Sequence, residues 1–158
     1  MIDADTFRAA LGRFASGITI VTAREPGRER DHGMTVSAFC SASLEPPLVL
    51  ISIGHEATMY DLLCRESAIG INILSARQEA LSRRFADPES DRFDGVGYTR
   101  AENGVALIED AIVHLECRII ARHEAGDHTI MIAEVEAAAV HGERPLLYYR
   151  GGYAQLER

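Results

Sequence analysis

The sequence predicts a mainly β protein, in which an antiparallel sheet curls into a barrel and helices flank it. The clearest observation is an alternation of apolar and polar residues from Val113 to Arg122 and from Met131 to Ala137, with Gly126-Asp127 between them. This period of two is typical of half-buried strands, and the Gly-Asp pair predicts the turn that joins them. Most other segments also read as strands joined by short turns, and such a sheet protects its edges by curling.

Length and composition predict a single domain over residues 1–158. The 158 residues are 47% hydrophobic, which is enough for a sizeable core. The net charge of −8 argues against a nucleic-acid binder, which needs a basic face. No apolar run approaches the ~20 residues of a membrane span, and the first residues lack the basic and apolar regions of a signal peptide. We therefore expect a cytoplasmic protein without nucleic-acid or membrane partners.

The first elements are predicted to be a helix and a hairpin. Apolar residues at helical spacing predict a helix from Asp5 to Phe14 with one buried face, stopped by Gly17. A strand rich in β-branched residues then begins at Ile18. The charged turn 24–31 contains Pro and Gly, and predicts a hairpin to a strand over 33–39.

The segment 33–53 is predicted to cross from one strand to another through a polar loop. The loop covers 40–45 and meets Pro46-Pro47, where the chain must leave any ladder. The apolar run 48–53 predicts a central strand. A turn over 54–58 follows, and then a short helix in which Asp61 and Arg65 form an i,i+4 pair.

The middle of the chain is predicted to hold a strand, a capped helix and a long loop. Ser67 to Leu74 is the strand, and Ser75 and Gln78 form a capping box for a helix that runs to about Phe85. The polar loop covers 87–103, and Phe93 either pins it to the protein or leaves it as a mobile surface loop. Short closing strands are predicted over 145–149 and 152–156.

Sequence motifs exclude several common chemistries. There is no GxGxxG after a strand, no P-loop motif and no GxSxG elbow. Cys40, Cys64 and Cys117 are an odd number without close pairs, and no HExxH, CxxC or His-x-His set occurs. We therefore predict neither a disulfide framework nor a catalytic metal. Cys40 is either a packing residue or a reactive thiol.

The segment 33–53 also offers many hydroxyl and backbone donors beside an apolar strand. Such donors suit a ligand with a flat polar ring and a phosphate tail. The alternative is a hairpin with a polar connection, in which Thr35 and Ser37 are polar strand residues that face solvent. The residues alone leave both interpretations open.

Six segments together carry a resemblance that covers about Phe7 to Tyr153. In chain order they are Phe14–Thr22, Gly33–Ile53, Gly70–Leu74, Arg83–Ala86, Gly126–Ile130 and Pro145–Gly151. In this order and spacing they resemble the flavin reductase-like family, the small reductase components of two-component flavin monooxygenases. The resemblance implies an FMN-binding split β-barrel, usually a homodimer, with its flavin near the subunit interface.

The resemblance also implies an activity. The expected enzyme is an NAD(P)H:flavin oxidoreductase that transfers a hydride from NADH, or from NADPH, to FMN, with FAD as the alternative flavin. Reduced flavin would then pass to a separate flavin-dependent oxygenase, with or without a stable complex. The cofactors carry the hydride chemistry themselves, so we expect no acid or base catalyst in the usual sense.

The expected site residues follow from the resemblance and from the chemistry of a phosphate. Ring and ribityl contacts are assigned to Thr35, Val36, Ser37, Ala38, Cys40 and Ser41. Ser52, Ala86, Phe85 and Tyr153 are further cofactor contacts, and His128 in Gly126-Asp127-His128 would position the nicotinamide or the reduced flavin. Candidate phosphate ligands are His55 and Thr58 at the start of a helix. Arg83 and Arg84 at the end of another helix are the other candidates. The alternative for these two arginines is that they are cations favoured there by the helix dipole alone.

Two other functions remain open at this point. One is an FMN enzyme with a tightly held prosthetic flavin and another substrate, and the other is a flavin-binding carrier or sensor without catalysis. The chain also departs from the family pattern, with Ala133 where Gly is frequent and Ile112-Val113-His114 in place of a smaller, alanine-rich segment.

Overall fold

The computed structural model of the chain describes residues 1–142 and 144–157. It contains three helices, α1 (Ala4–Leu11), α2 (Tyr60–Arg65) and α3 (Glu79–Ala86). The strands of the first half are β1 (Ser16–Gly17), β2 (Thr19–Glu25), β3 (Arg30–Val36), β4 (Phe39–Leu44), β5 (Pro47–Gly54) and β6 (Ala68–Ile73). Those of the second half are β7 (Tyr98–Arg100), β8 (Ala106–Ile108), β9 (Val113–Ala125), β10 (His128–Val140), β11 (Leu147–Tyr149) and β12 (Gly152–Ala154). The mainly β class predicted from the sequence is confirmed.

Seven of these strands form one antiparallel sheet with the order β3-β2-β6-β9-β10-β5-β4. Its edge strands β3 and β4 are consecutive in the chain and are joined only by Ser37 and Ala38. In a flat sheet these edges would lie about 29 Å apart, whereas the linker spans at most about 11 Å between the Cα atoms of Val36 and Phe39. The sheet therefore curls until its two edges meet at this linker, as predicted.

The core lies inside the curled sheet and beneath α3. The larger cluster holds buried residues of β2, β5, β6, β9 and β10 together with Leu62 and Leu63 of α2. The smaller cluster packs Phe85 of α3 against Ile18, Leu74 and Leu146. A small sheet of β1, β11 and β12 covers this second cluster.

The β9–β10 hairpin confirms the predicted alternation over most of its length. Cys117, Ile119, Met131 and Ala133 are buried, as the period of two requires. Ala137 is exposed, because register shifts after Ile132 and after Val135 interrupt the alternation.

The first helix differs from its prediction. It ends at Leu11 with Gly12 as its cap, well before Gly17, and it buries no residue. Phe7, Leu11 and Phe14 are exposed by 54%, 53% and 81%. The apolar stripe that predicted a buried face is present, but nothing within one chain covers it.

The predicted polar loop 40–45 is a strand. Residues Phe39–Leu44 pair with β5 as an edge strand of the large sheet. The chain turns at Glu45-Pro46, and Pro47 begins β5 opposite Leu44. Proline is tolerated at the first residue of a strand, so the pair of prolines tightens the hairpin instead of ending the ladder.

Two predicted side-chain interactions take other forms. The Nε of Arg65 donates to the backbone carbonyl of Asp61 at 3.2 Å, so the predicted pairing of their charges is wrong. Gln78 Oε1 accepts from the Ser75 backbone amide at 2.9 Å, which is half of the predicted capping box. The helix itself begins later, at Glu79, with Gln78 at its N-cap.

The long loop 87–103 is held against the protein. Phe93 is half-buried and packs edge-on against Phe85, with ring centres 5.2 Å apart, so its predicted anchoring role is confirmed. The end of the segment forms the short strand β7, which pairs with the unpredicted β8. In the part of the chain that the structure describes, no helix combines the length and apolar character needed to cross a membrane.

Candidate functional site

The linker Ser37-Ala38 lies where the two edges of the large sheet meet, and both residues are exposed. The Ala38 carbonyl accepts a hydrogen bond from the Ser52 amide at 3.0 Å, which fixes the linker to β5. Val36 is 5% exposed and belongs to the core. A ligand at this junction would therefore meet the Val36 backbone and the small side chains of the linker.

The strand after the linker continues the same exposed surface. Cys40 and Ser41 are exposed on β4, opposite Leu50 and Val49 of β5. Their thiol and hydroxyl are accessible beside a half-buried sheet. The exposure of Cys40 removes the packing role considered for it and leaves an accessible thiol.

A second group of candidate residues connects β3, α3 and β12. The Thr35 hydroxyl donates to the Ser82 carbonyl at 2.6 Å. The Ser82 hydroxyl is buried and lies 2.8 Å from the Tyr153 hydroxyl. The Arg83 guanidinium lies over the Tyr153 ring, 4.7 Å from its centre, an arrangement that favours a cation–π contact. The Thr35 hydroxyl therefore links two elements and does not serve as a solvent-facing group, whereas Ser37 is exposed.

The other residues of α3 have mainly structural roles. Phe85 is fully buried in the second cluster, so its side chain is not available to a ligand and only its backbone remains a candidate. Arg84 donates to the carbonyls of Asp91 and Asp94, which ties the long loop to the helix. Ala86 ends the helix and is exposed.

His128 begins β10 beside the turn that follows β5. It is paired with Gly54, and a side chain at Gly54 would approach the imidazole to 3.5 Å. Its Nδ1 lies 2.7 Å from Asp127 Oδ1. This hydrogen bond lowers the pKa of the Asp127 carboxyl. The Asp127 contact orients the ring and leaves Nε2 on the side of Gly54.

His55 belongs to a hydrogen-bonded network under the same turn. Its Nε2 lies 3.2 Å from the Thr129 hydroxyl and 3.1 Å from the Glu124 carboxylate. The Tyr60 hydroxyl is also within 3.0 Å of the buried Thr129 hydroxyl. The site prediction for His55 and Thr58 invoked a helix start, but α2 has only six residues and no side-chain cap. Its dipole is therefore a weak argument for phosphate binding.

Arg92 is a residue that the sequence did not single out. Its guanidinium donates to the Gly33 carbonyl at 2.7 Å, to the Thr58 hydroxyl at 3.3 Å and to the Asp87 carbonyl at 3.1 Å. Burial lowers the pKa of this guanidinium. Arg92 thus fixes the long loop to β3 and to the turn before α2. In the sequence, only the neighbouring Phe93 pointed to this contact, because it was predicted to anchor the loop.

The structure arranges the candidate residues in two groups on either side of β3. One group follows the β4–β5 edge and its turn, with Cys40, Ser41, Ser52, His55, Thr58 and His128. The other surrounds α3, with Thr35, Arg83 and Tyr153. The segment 35–38 connects them through the chain, and Arg92 bonds Thr58 of the first group to Gly33 on β3. The arrangement offers exposed backbone and hydroxyls at the β4–β5 edge and an exposed cation, Arg83, beside α3.

Comparison with known proteins identifies the class to which this fold and edge belong. The sequence model of the flavin reductase like domain family matches residues 11–157, and the chain belongs to this family. An NADH-dependent flavin reductase of a Rhodococcus species is 46% identical over 95% of this chain and 85% of that protein. An NADH-dependent FMN reductase of Agrobacterium fabrum is 39% identical over 97% of this chain and 86% of that protein.

A solved structure extends the comparison to three dimensions. It is the Streptomyces globisporus NADH:FAD oxidoreductase in complex with NAD and FAD fragments, which superposes with a TM-score of 0.92 at 36% identity. The match covers 99% of this chain and 96% of that one. Other relatives are named as reductase subunits of flavin-dependent monooxygenases. The family resemblance predicted from the six segments is confirmed.

Proposed function

We propose that this protein is an NADH-dependent flavin reductase that transfers a hydride from NADH to free FMN or FAD. The observation that carries this proposal is the superposition of 99% of the chain on a reductase that was solved with NAD and FAD fragments. The relatives include both FMN and FAD reductases, which supports a flavin site that accepts either nucleotide. We also propose that residues 1–158 act as one catalytic domain, since the family match spans nearly all of them.

The edge formed by 35–38 fits the polar rim of a flavin. Ser37 and Ala38 are exposed and small, so a flat ring can approach their backbone amides without steric conflict. Such amides are fixed before the ligand arrives, because Ser52 holds the linker through its bond to Ala38. When bound, the flavin supplies the N5 atom that accepts the hydride of nicotinamide C4.

Arg83 is the best candidate for the phosphate. It is exposed, and its contact with Glu79 is a weak one at 3.4 Å. The Tyr153 ring supports its guanidinium from one side and leaves its other donors free to reach a ligand. Arg84 is a poorer candidate, because its donors already bind the loop carbonyls.

His128 is proposed to position the nicotinamide. With its Nδ1 hydrogen directed at Asp127, the neutral imidazole presents Nε2 as an acceptor. The nicotinamide carboxamide carries an NH2 group that can donate to such an acceptor. The imidazole lies against Gly54, where a Cβ would be 3.5 Å from Nε2, so the lack of a side chain at Gly54 gives the histidine ring its place beside β5. The protein's contribution is thus to hold the two rings in a reactive geometry and to exclude water.

The proposal is tested by anaerobic absorption spectroscopy with FMN and NADH. A flavin reductase removes the ~450 nm band faster than an enzyme-free control, and its rate depends on the concentration of added flavin. A band that shifts on binding but survives NADH would indicate a carrier and overturn the proposal. A rate that ignores added flavin would instead indicate a prosthetic group.

We propose that the reduced flavin supplies a separate oxygenase. The names of two relatives as reductase subunits of flavin-dependent monooxygenases support this role. A stable complex is not needed, because reduced flavin can diffuse. Hydroxylation of a substrate by a purified flavin-dependent oxygenase, driven by this protein with NADH and catalytic flavin across a dialysis membrane, would establish transfer by diffusion.

We further infer a homodimer from the uncovered apolar residues. The eight-residue α1 is too short to be stable alone in water, yet its Phe7 and Leu11, and Phe14 just after it, are all exposed. The edge strand β4 also exposes Leu44 by 93%. A second copy that covers these surfaces explains both features. Light scattering is expected to give twice the chain mass, and the double change Phe7→Glu, Leu11→Glu is expected to give monomers.

A cytoplasmic location is proposed as well. NADH is an intracellular reductant, and the three cysteines are all free thiols. A reducing compartment maintains this state. Fractionation of producing cells would test it.

A further inference from the structure

Two histidines outside the candidate flavin site lie in direct contact. Nε2 of His141 is 3.0 Å from Nδ1 of His114, and the ring centres are 4.7 Å apart. His114 is on β9, and His141 directly follows the last residue of β10, so the antiparallel pairing of these strands brings them together. They are 27 residues apart in the sequence, which is why no short ligand motif revealed them. His114 is also one of the residues by which this chain departs from the family pattern.

The protonation of the pair follows from its hydrogen bonds. The other nitrogen of His114, Nε2, lies 2.7 Å from the carbonyl oxygen of Ile108. A carbonyl can only accept, so Nε2 of His114 carries the proton and its Nδ1 presents a lone pair. A histidine that donates one ring N–H to a backbone carbonyl and presents its other nitrogen is the usual arrangement of a metal ligand.

The separation of the two nitrogens suits a shared metal ion. Two imidazoles on one Zn²⁺ or Ni²⁺ ion, at bond lengths near 2.1 Å, hold their ligating nitrogens roughly 3.0 Å apart at a right angle and roughly 3.4 Å apart at a tetrahedral angle. The observed separation is 3.0 Å. His141 is exposed, so its proton can exchange from Nε2 to Nδ1 through water and free the second lone pair. Rotation of both rings away from their hydrogen bond then directs the two lone pairs to one point.

The pair opens into a groove of about 1010 Å³ that leaves room for an ion and its water ligands. Glu109 and Asp110 line the groove, but so do Arg77 and Arg144, so its charge is balanced. Selection therefore rests on the neutral imidazoles, which prefer Zn²⁺, Ni²⁺ and Cu²⁺ to Mg²⁺ or Ca²⁺. Among the described residues no three His, Cys, Asp or Glu side chains form a metal-binding group, so the proposed site rests on the two imidazoles alone.

We propose that His114 and His141 form a two-histidine binding site for a divalent late first-row transition ion, Ni²⁺ or Zn²⁺. The site joins the start of β9 to the segment after β10, beside the N-terminus of α3. It is separate from the residues proposed to bind flavin and nicotinamide. Its test needs neither of these ligands, so its outcome is independent of the flavin reductase activity.

The test is isothermal titration of tag-free, chelator-treated protein with NiCl₂ and with ZnCl₂. The parent protein carries Cys40→Ser and Cys64→Ser, so that exposed thiols cannot supply the ligand. We expect one ion per chain, and a loss of affinity of at least about tenfold in His141→Ala and in His114→Gln. His123→Ala is the matched control, because His123 is an exposed histidine on the same strand β9, and we expect no change.

Two outcomes would overturn the proposal. One is the lack of saturable binding of one ion per chain, and the other is an equal loss in the His123→Ala control. His141 is exposed, so His141→Ala is expected to fold. Circular dichroism checks the folding of both variants. If His114→Gln unfolds, the His141 variant still tests the proposal. As a second readout, paramagnetic Ni²⁺ is expected to broaden amide signals around 114 and 141, whereas broadening centred on His55 or His128 would contradict the assignment.

Discussion

The hydroxyls of Tyr153 and Ser82 lie 2.8 Å apart, although 71 residues separate them in the chain. Ser82 is fully buried, and its carbonyl also accepts the hydroxyl of Thr35. One serine of α3 therefore connects the C-terminal strand to the strand that leads into the linker 37–38. The candidate flavin edge depends on this connection for its position.

Removal of the Tyr153 hydroxyl is expected to loosen this connection. Tyr153→Phe keeps the ring beneath Arg83 but leaves the buried Ser82 hydroxyl without this partner, at a cost of about 1–2 kcal/mol in the free energy of unfolding. Urea unfolding measures the cost. Tyr148→Phe is the control, because its ring packs against Tyr153 at 5.5 Å within the same small sheet. Equal destabilisation by the two changes would argue against a specific role for the Ser82 bond.

Gly33 is expected to accept no side chain. A Cβ at this position would lie 2.6 Å from the fully buried ring of Phe85 and 3.3 Å from Phe93. Gly33→Ala should destabilise the protein by about 1–3 kcal/mol, since the ring has no space to retreat. Gly17→Ala is the control, because a Cβ there meets nothing within 4 Å. Thermal unfolding is expected to show a lower Tm for Gly33→Ala and an unchanged Tm for Gly17→Ala.

Arg92 is expected to hold the loop 87–97 over the edge of the site. Arg92→Lys keeps the charge but cannot reach the Asp87, Gly33 and Thr58 oxygens together, since lysine lacks the planar fork of arginine. We predict faster hydrogen exchange in 87–97 and a higher KM for flavin. Arg28→Lys, on the exposed β2–β3 turn, should change neither quantity. Unaltered exchange in the Arg92 variant would remove its role as a clamp.

His128 is expected to affect the reaction more than the stability. Its side chain is about half exposed and bonds only to Asp127 among the described hydrogen bonds. His128→Ala should lower kcat/KM for NADH by about tenfold to a hundredfold through misplacement of the nicotinamide. Flavin binding should change little, and His123→Ala should leave the kinetics intact. A variant that retains full kcat/KM would exclude His128 from nicotinamide positioning.

The same histidine gives a pH dependence with a defined sign. The bond to His128 lowers the pKa of Asp127 in the folded protein. The Asp127 carboxylate therefore stabilises the folded protein at pH values above the ordinary pKa range of aspartate. This contribution is lost as the pH falls through the lowered pKa. The Asp127→Asn variant is therefore expected to show a smaller loss of stability than the parent protein between neutral and acidic pH, measured by unfolding at each pH.

The three thiols are expected to react in two classes. Burial raises the pKa of Cys117 to about 12, so its thiolate, the reactive form, is scarce near neutral pH. Cys40 and Cys64 are exposed. A thiol reagent should modify two cysteines in the folded protein and the third only after unfolding, as counted by mass spectrometry. Rapid modification of Cys117 in the native state would contradict its burial.

The sequence predicted the elements whose signal is local. The alternation on β9 and on β10 as far as Ala133, the Gly126-Asp127 turn and the β-branched strand after Ile18 formed as expected. The family was also predictable, because one chain contains all six short segments in the order that resembles the family. These features depend on residues that are close in sequence, where periodicity and turn chemistry act directly.

The same local signals failed for elements whose structure depends on residues far away in the sequence. The polar segment 40–45 became a strand because the edge of β5 was available to pair with it. The apolar stripe of α1 predicted burial, but a stripe specifies only that a partner is needed and not where that partner lies. Phe85 was a candidate ligand contact until the fold showed it inside the core.

What the sequence by itself determined is the class of protein: a curled antiparallel sheet, its strands and turns, and membership of the flavin reductase-like family. Only the tertiary structure decided which side chains meet. It brought Ser82 to Tyr153, Arg92 to Gly33 and His114 to His141, each across many residues. Such contacts follow from strand register and sheet closure, which are collective properties of the fold. A sequence pattern encodes the periodicity of each element but not the distance between two of them.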